Sequence, residues 1–527
     1  MDERKDIVHR LEKAETRIIV MATRKHQELQ RHSMRLPLHS KLPSLPLLGE
    51  KIDTIQYLRK DLERLNSEIK KDQEKCQYPL LGSAFIQFNR QLAAHMASRT
   101  VLHNVPQQMR LHIVASPNDV IWKNIGMRWW TRYIWVSLNL VGTGLLVIGW
   151  AFPVALFGSV AQISYLTSTF SWLQWVLKVP DSLLGLLSGV LPSLSLSIIM
   201  AVLPQVLRIL ANMQGLTTKM AVEKSVQGSY FACLFIQVFL VVSVSSGITT
   251  VIEDISLEPI HAAKILATNL PKSSNFFFSY LLVEAFTISG ATLLQISTLF
   301  TNYVISPIID KTPRQKFNRA TTPSEIQWGT LLPVYTNMAC ISIVYSVISP
   351  LVLVFNVIVL YLFWIIYKYN FLFVVNFQMD MGGLLFPRAM NQLFTGLYVM
   401  EITLIGLFLL ERDSQMQFIC WPQAVIMIIT TAMSALFQCM LNHIIGPLFM
   451  YLPCTAVEEY TASADSEFKH PALGEKIPTI WIPHDDLGVS QNEILQSNSR
   501  ISISDKHAKV DSAGNVSYTG PPPDLGF

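Results

Sequence analysis

A carboxylate lies deep inside an apolar stretch of this chain. Between Asn275 and Tyr303 the sequence is apolar for long enough to cross a lipid bilayer, yet it contains Glu284. A charged side chain in the hydrocarbon interior costs about 2.5 kcal/mol or more, so such residues usually face a protein interior or a water-filled path. Glu284 is therefore the first candidate for a functional residue, and the chemistry of its carboxylate is the attraction of cations.

Other polar residues share a helical face with Glu284. Read at steps of three and four residues, one side of the stretch carries hydroxyl and amide groups, and the other sides carry mostly Phe, Leu and Ile. The polar side consists of Tyr280, Glu284, Thr287, Ala291, Gln295, Thr298 and Asn302. The pattern fits either a hydrophilic pathway or a polar interface between packed helices. No basic residue in the neighbouring apolar stretches is available to pair with Glu284, which favours the pathway.

The composition is that of a polytopic α-helical membrane protein. Half of the 527 residues are hydrophobic and only 15% are charged. Eight stretches are long enough to span a bilayer: Ile134 to Val160, Leu183 to Leu210, Tyr230 to Ile252, Phe276 to Ile305, Leu331 to Ser349, Leu351 to Tyr369, Phe394 to Leu410 and Ala424 to Leu448. Pro350 predicts a tight hairpin between the fifth and sixth. Lys and Arg cluster in alternate loops, which places both ends of the chain in the cytoplasm.

Polar residues are concentrated in the second to fifth apolar stretches. We predict that these stretches wall a pore, with the pore-lining candidates Ser195, Gln237, Ser245, Glu284, Thr287, Gln295, Asn337 and Tyr345. Gly290 follows Ser289 in the fourth stretch, and a glycine next to a serine is a place where a helix can bend sharply. Gly290 is therefore a candidate gating hinge, although close packing through small residues explains it equally well.

The remaining residues predict a cytosolic domain at each end. Residues 1–132 are expected to form an α+β domain, with helices over Asp2–Glu28 and Ile52–Lys71 and strands over Ser83–Phe88 and Leu111–Ala115. Residues 133–454 form the predicted transmembrane domain. Residues 455–527 are rich in Ser, Asp, Asn and Pro, which predicts a mostly disordered cytosolic tail.

Several classes of site are not predicted. The six cysteines are scattered without metal-ligand spacing, and no nucleotide-binding loop, catalytic triad or HExxH motif occurs. We therefore predict no enzyme activity, no cofactor and no metal site. The segment SAFIQF is similar to the core of an RNA-recognition strand, but Leu81, Gly82 and Ser83 stand where that motif needs basic and aromatic residues. No nucleic-acid partner is expected.

Longer segments of the chain resemble a known family. The strings LPLLGEKIDTIQYLRKDL, GSAFIQFNRQLAAHMASRTVLH, NDVIWKNI, LPKSSNFFFSYLL, IVYSVISPLVLVF and YKYNFLFV resemble the calcium-permeable stress-gated, or hyperosmolality-gated, cation channels with an RSN1-type membrane domain, in particular the fungal branch. The resemblance extends from Leu11 to Thr455. It implies an anoctamin-like helical bundle, an RRM-like cytosolic domain, a plasma-membrane location and a homodimer with one pore in each subunit, along the first five spans.

The resemblance also defines the expected function. It implies a mechanically or osmotically gated non-selective cation channel that contacts membrane lipids and passes calcium and monovalent cations. A lipid scramblase and a non-conducting trafficking or scaffold protein are the alternatives. Family members begin with three further transmembrane helices, so we interpret this chain as truncated within the cytosolic domain. Some relatives carry a second acid where this chain has Thr292, which predicts weaker cation selectivity.

Overall fold

The fold is known from a computed structural model. It describes residues 2–25, 33–35, 51–75, 81–101, 103–105, 109, 111–114, 117–150, 152, 199–200, 202–241, 243, 259–377, 381–411, 420–450, 470–497 and 501–524. The chain divides into two compact units. The first unit comprises Met1–Leu80, Leu294–Ser324 and Lys469–Phe527, and the second comprises Leu81–Leu293 and Glu325–Phe468.

Helices dominate the described residues. In chain order they are α1 (Asp2–Lys25), α2 (Thr54–Lys75), α3 (Gln91–Arg99), α4 (Trp122–Ile125), α5 (Trp129–Gly149), α6 (Val202–Met213), α7 (Lys219–Leu234), α8 (Pro259–Leu293), α9 (Ile296–Phe300), α10 (Ser306–Ile309), α11 (Pro313–Thr321), α12 (Trp328–Ile348), α13 (Leu351–Phe373), α14 (Leu385–Leu410), α15 (Trp421–Met450), α16 (Pro471–Gly474) and α17 (Val489–Leu495). Helix α7 continues as a π-helix over Phe235–Val241, and a second π-helix over Thr301–Ile305 separates α9 from α10.

Six short strands form three separate pairs. They are β1 (Ser33–Arg35), β2 (Lys51–Asp53), β3 (Thr479–Trp481), β4 (Ser502–Ser504), β5 (Ala508–Val510) and β6 (Val516–Tyr518). Strands β1 and β2 are antiparallel, β3 and β4 are parallel, and β5 and β6 are antiparallel. The described strands therefore form no larger sheet.

The core of the first unit is built by residues that lie far apart in the sequence. Apolar side chains recur at helical spacing on α1 and α2, so each helix has one apolar face. Strands from the carboxyl-terminal part of the chain cover these faces. The buried residues are Ile7, Val8, Leu11, Ile18, Ile19, Ile55, Leu58, Leu62, Leu65, Ile480, Ile482, Ile501, Val510 and Val516.

The described part of the tail corrects the prediction of disorder. Residues 470–497 and 501–524 contain strands β3 to β6, and Trp481 is fully buried. The indole Nε1 of Trp481 donates to the carbonyl of Lys506 at 2.6 Å. The prediction was wrong here because the polar composition obscured a few apolar residues, which become buried against α1, α2 and α11.

The amino-terminal prediction is confirmed for its helices but wrong for its strands. Helices α1 and α2 lie where they were expected, but Ser83–Phe88 and Leu111–Val114 form no strand. The side chains of Ser83–Phe88 are all exposed, and no described strand forms a ladder with this segment. A strand is stabilised by its neighbours and not by alternation alone. Residues from 81 onward also belong to the second unit, so the predicted domain of residues 1–132 is divided. An RRM-like fold is not seen among the described residues.

Six helices of the second unit are long and apolar enough to cross a membrane. They lie at Trp129–Gly149, Ser273–Leu293, Trp328–Ile348, Leu351–Phe373, Leu385–Leu410 and Trp421–Phe449. These helices correspond to six of the eight predicted spans. The other two predictions are described only in part, over residues 199–200 and 202–210 of Leu183 to Leu210 and over residues 230–241 and 243 of Tyr230 to Ile252. The hairpin at Pro350 is confirmed, because α12 ends at Ile348 and α13 begins at Leu351.

Candidate pore region

Glu284 lies on α8 beside two buried tyrosines. Its side chain is half-buried, and its charge is close enough to act electrostatically on the phenols of Tyr230 and Tyr280. Tyr230 comes from α7, and its hydroxyl donates to the carbonyl of Met200 at 3.4 Å. Glu284 thus lies within electrostatic range of two tyrosine hydroxyls, one on its own helix and one on α7.

Three further polar side chains are buried in the same unit. The side chains of Gln237, Ser289 and Asn337 lie on the π-helix after α7, on α8 and on α12, respectively. Gln237 Nε2 donates to the carbonyl of Val147 on α5. Gln237 Oε1, Ser289 Oγ and Asn337 Oδ1 have no hydrogen-bond partner in the described part of the chain. A buried polar atom left without a partner costs about 1–3 kcal/mol, so these positions disfavour dry packing.

Tyr345 joins α12 to a proline-containing part of α8. Its ring is fully buried, and its hydroxyl donates to the carbonyl of Leu270 at 3.1 Å. The same hydroxyl lies 3.0 Å from Ser273 Oγ. Pro271 lies inside α8 between these two residues and lacks the N–H that would continue the helical ladder. The hydroxyl of Tyr345 therefore links two of the predicted pore helices, α8 and α12, by hydrogen bonds.

Aromatic rings fill the space between α7, α8 and α12. Phe231, Phe235 and Phe239 form a stack along α7 and its π-helical continuation, with centroid separations of 5.7 and 5.1 Å. The stack continues from Phe239 to Phe277 at 5.8 Å and from Phe277 to Tyr345 at 5.2 Å. These rings are packed together in one core between the three helices.

The predicted polar stripe is not carried by one continuous helix. Helix α8 ends at Leu293, and Gln295 adopts a left-handed conformation with φ 50° and ψ 45° before α9 begins at Ile296. Left-handed backbone costs a residue with a side chain roughly 1–2 kcal/mol. Gln295, Thr298 and Asn302 therefore follow a break in the backbone, and they belong to the first unit.

The backbone break does not lie at the predicted hinge. Gly290 is inside α8, which is helical on both sides of it, and a Cβ atom at this position would meet nothing within 4 Å. Gly290 is thus not required by local packing. The interruption lies at Leu294 and Gln295, one turn later, and sequence analysis missed it because neither residue type favours a break.

The other predicted pore residues have different surroundings. Thr287 is exposed on α8. Ser195 and Ser245 fall outside the described residues. The structure places Glu284, Gln237, Asn337 and Tyr345 in one compact unit, on α8, on the π-helix after α7 and on α12. The pore-lining role of each remains a prediction. Among the described residues, no group of three or more His, Cys, Asp or Glu side chains is suited to hold a metal ion.

Sequence analysis missed an ion pair where α6, α7 and α12 meet. Glu223 is buried, and its Oε1 accepts from Arg208 Nη2 at 2.9 Å. Its Oε2 accepts from the backbone N–H of Gly329 at 2.8 Å, at the start of α12. A Cβ atom on Gly329 would lie 2.4 Å from the carbonyl oxygen of Glu223, so glycine is required there. These contacts tie three helices together at one end of the bundle.

A second buried acid was also missed. Glu401 on α14 is only 2% exposed, and its Oε1 accepts from Ser434 Oγ of α15 at 2.6 Å. Nearby, Gln438 Nε2 of α15 donates to Asn391 Oδ1 of α14 at 2.9 Å. An acid within an apolar stretch, the signal that identified Glu284, also marks Glu401. Its contacts indicate a polar interface between α14 and α15.

The membrane-length helices, which surround buried polar and aromatic residues, define a polytopic α-helical membrane protein. The family model described as the 7TM region of a calcium-dependent channel matches residues 136–408, more than half of the chain. The chain therefore belongs to this family of membrane channels, which is not an enzyme family. Models of the cytosolic domain and of the extracellular tail of 10TM transporter-type proteins match residues 1–124 and 449–524.

Relatives confirm the resemblance to stress-gated channels of fungi. The uncharacterized protein RSN1 of Saccharomyces cerevisiae is 35% identical over 481 residues, which cover 88% of this chain and 50% of that protein. An uncharacterized membrane protein of Schizosaccharomyces pombe is 30% identical, with coverage of 97% and 59%. Calcium permeable stress-gated cation channel 1 of the same yeast is 25% identical, with coverage of 71% and 47%. The chain thus spans about half the length of these relatives.

Proposed function

We propose that this chain carries the pore of a non-selective cation channel that passes calcium and opens under membrane tension or osmotic stress. The observation that supports it best is the set of buried polar atoms without partners among the described residues on Gln237, Ser289 and Asn337. They lie on the continuation of α7, on α8 and on α12, and α7 and α8 also carry Tyr230, Tyr280 and Glu284. The printed name of one relative, a calcium permeable stress-gated cation channel, supports the type of permeant and of stimulus.

The buried polar atoms explain how a closed path could open. Separation of α7, α8 and α12 would admit water, which would satisfy these atoms and offset part of the cost of exposing the aromatic rings. Membrane tension shifts such a two-state equilibrium only through the difference in area between the states. Tension then has to supply only the remaining free energy. Once the path is wet, the Glu284 carboxylate attracts cations and repels anions.

A charge-neutralising substitution tests the role of Glu284. Glu284→Gln keeps the size of the side chain and removes its charge, so we expect lower selectivity for cations over anions in patch recordings across a salt gradient. Glu401→Gln is the matched control, because it neutralises a second carboxylate on a membrane-length helix while its amide oxygen can still accept from Ser434. An unchanged reversal potential in Glu284→Gln, or an equal shift in Glu401→Gln, would exclude Glu284 from the pore.

The proposal also includes the surroundings of the channel. We propose a homodimer in the plasma membrane, with the pore within each subunit, on the basis of the family resemblance. Helix α15 supports contact with lipid, because only 6% of its most apolar window is buried within the chain. If proteoliposomes show flipping of fluorescent lipids but no ionic current, the protein is a lipid scramblase and not a channel.

A further inference from the structure

An arginine in the first unit connects both ends of the chain. Arg314, at the start of α11, donates from Nε to Glu12 Oε1 of α1 at 2.8 Å. Its Nη2 lies 2.7 Å from Asp524 Oδ2 and donates to the carbonyl of Thr479 at 2.6 Å. Glu12 Oε1 also accepts from the backbone N–H of Trp481 at 3.1 Å. The guanidinium thus contacts one acid near the start of the chain, Glu12, and one near its end, Asp524.

The Glu12–Arg314 ion pair lies in the interior and not on a solvated surface. The side chain of Glu12 is 1% exposed, and that of Arg314 is 24% exposed. Burial raises the pKa of Glu12 above its ordinary value, while the Arg314 guanidinium acts in the opposite direction. Removal of one partner from a buried ion pair leaves an uncompensated charge, so these contacts are sensitive to substitution of Arg314.

The rest of α11 contacts the same carboxyl-terminal residues. We call residues 470–524 the carboxyl-terminal segment. Lys316 Nζ donates to the carbonyl of Val516 at 2.8 Å. The ring of Phe317 lies edge-on to Trp481 and Tyr518, with centroid separations of 6.1 and 5.5 Å. The arginine, lysine and phenylalanine of this one short helix therefore all contact the carboxyl-terminal segment.

The start of α11 is itself well defined. Pro313 occupies its first turn, and Thr312 Oγ1 accepts from the backbone N–H of Gln315 at 3.3 Å. Gln315 Oε1 in turn accepts from the backbone N–H of Thr312, which completes a capping box. The helix thus begins at a fixed residue, and Arg314 extends from its first turn.

The carboxyl-terminal segment is also attached to α1 and α2 independently of α11. Arg59 Nη2 of α2 lies 2.6 Å from Glu15 Oε1 and 2.7 Å from Glu493 Oε2. Gln73 Nε2 donates to the carbonyl of Ala472 at 2.7 Å. Groups in contact must lie on the same side of a membrane. The segment matched as an extracellular tail and the helices matched as a cytosolic domain therefore share one side in this chain.

Helix α11 follows α8 in the chain, so its contacts can restrain the position of the end of α8. Helix α8 carries Glu284 and ends at Leu293, and Arg314 follows 21 residues later. We propose that the carboxyl-terminal segment is the intramolecular partner of α11 and holds α11 against α1. This contact restrains the chain that leaves α8 and therefore opposes opening of the channel. The gating part of this inference rests on the proposed channel function, whereas the docking of α11 does not.

Two measurements on the same variants test the two parts separately. Arg314→Gln removes the central contact, and Lys311→Gln is the matched control because it removes the same charge from an exposed side chain three residues earlier. In the full chain in proteoliposomes, we expect the amides of β3 and β6 to exchange with solvent about tenfold faster in Arg314→Gln than in Lys311→Gln. In patch recordings we expect Arg314→Gln, but not Lys311→Gln, to open at lower tension.

Each outcome has a definite meaning. Equal exchange rates in the two variants would overturn the docking of α11, whether or not the protein conducts. Faster exchange with an unchanged or higher opening tension would overturn the restraint while the channel function stands. If the unaltered chain carries no current, the channel proposal fails together with the gating part, and the exchange result still decides the docking. Asp524→Asn, which leaves the Glu12 contact in place, should show a smaller effect than Arg314→Gln in both measurements.

Discussion

Replacement of Gln295 by glycine tests whether the break after α8 belongs to the closed state. In the structure Gln295 has φ 50°, and its carbonyl accepts from the N–H of Leu299 at 2.8 Å, so α9 starts anew at this residue. Glycine adopts this left-handed conformation without the steric cost that a Cβ atom imposes. We expect the helix to be continuous through residue 295 in the open state, and Gln295→Gly should therefore favour closure.

The size of this effect follows from two contributions of the same sign. Relief of the left-handed backbone stabilises the broken conformation by roughly 1–2 kcal/mol. Glycine also disfavours the continuous helix by about 0.5 kcal/mol relative to glutamine. The sum is about 2 kcal/mol, which corresponds to a roughly thirtyfold shift toward the closed state. The hydrogen bond from Thr298 Oγ1 to Gln295 Oε1 is lost, but it is 3.4 Å long and exposed, so it subtracts little.

The tension at half-activation in excised patches measures this shift. We expect a higher value for Gln295→Gly than for the unaltered protein. Gly290→Ala is the control for the hinge predicted from sequence, because the added Cβ meets nothing within 4 Å and residue 290 is helical in this structure. A lower or unchanged tension for Gln295→Gly, or a larger shift for Gly290→Ala, would refute the reasoning and return the hinge to Gly290.

Two further predictions concern the packing of the second unit. Tyr345→Phe removes the hydroxyl that contacts Leu270 and Ser273, so the closed state should lose about 1–2 kcal/mol of stability and the half-activation tension should fall. The control Tyr361→Phe, at an exposed side chain, should leave the half-activation tension unchanged. Gly396→Ala places a Cβ 2.8 Å from the Cα of Cys340, and overpacking of about 1–3 kcal/mol should lower the melting temperature in detergent. Gly446→Ala, where a Cβ meets nothing within 4 Å, should leave the melting temperature unchanged. Equal melting temperatures for the two variants would contradict close packing of α14 on α12.

The membrane helices could be predicted because their signal is local. A run of about 20 apolar residues satisfies its own backbone hydrogen bonds as a helix and buries its side chains in almost any apolar surrounding. This is why the stretches at Trp328–Ile348 and Leu351–Phe373 and the hairpin at Pro350 were found from composition alone. Glu284 was found for the same reason, since an acid among apolar residues is visible without knowledge of its neighbours.

The surroundings of Glu284 and the order of the tail were decided only by the tertiary structure. The sequence alone determined which residues are polar and how they recur along a helix, but it did not determine that Tyr230 would lie beside Glu284 or that the backbone would break at Gln295. The tail reads as disordered because its few apolar residues find partners on α1, α2 and α11, which lie far earlier in the chain. Burial depends on contacts between residues distant in the chain, and a local pattern contains no information about them.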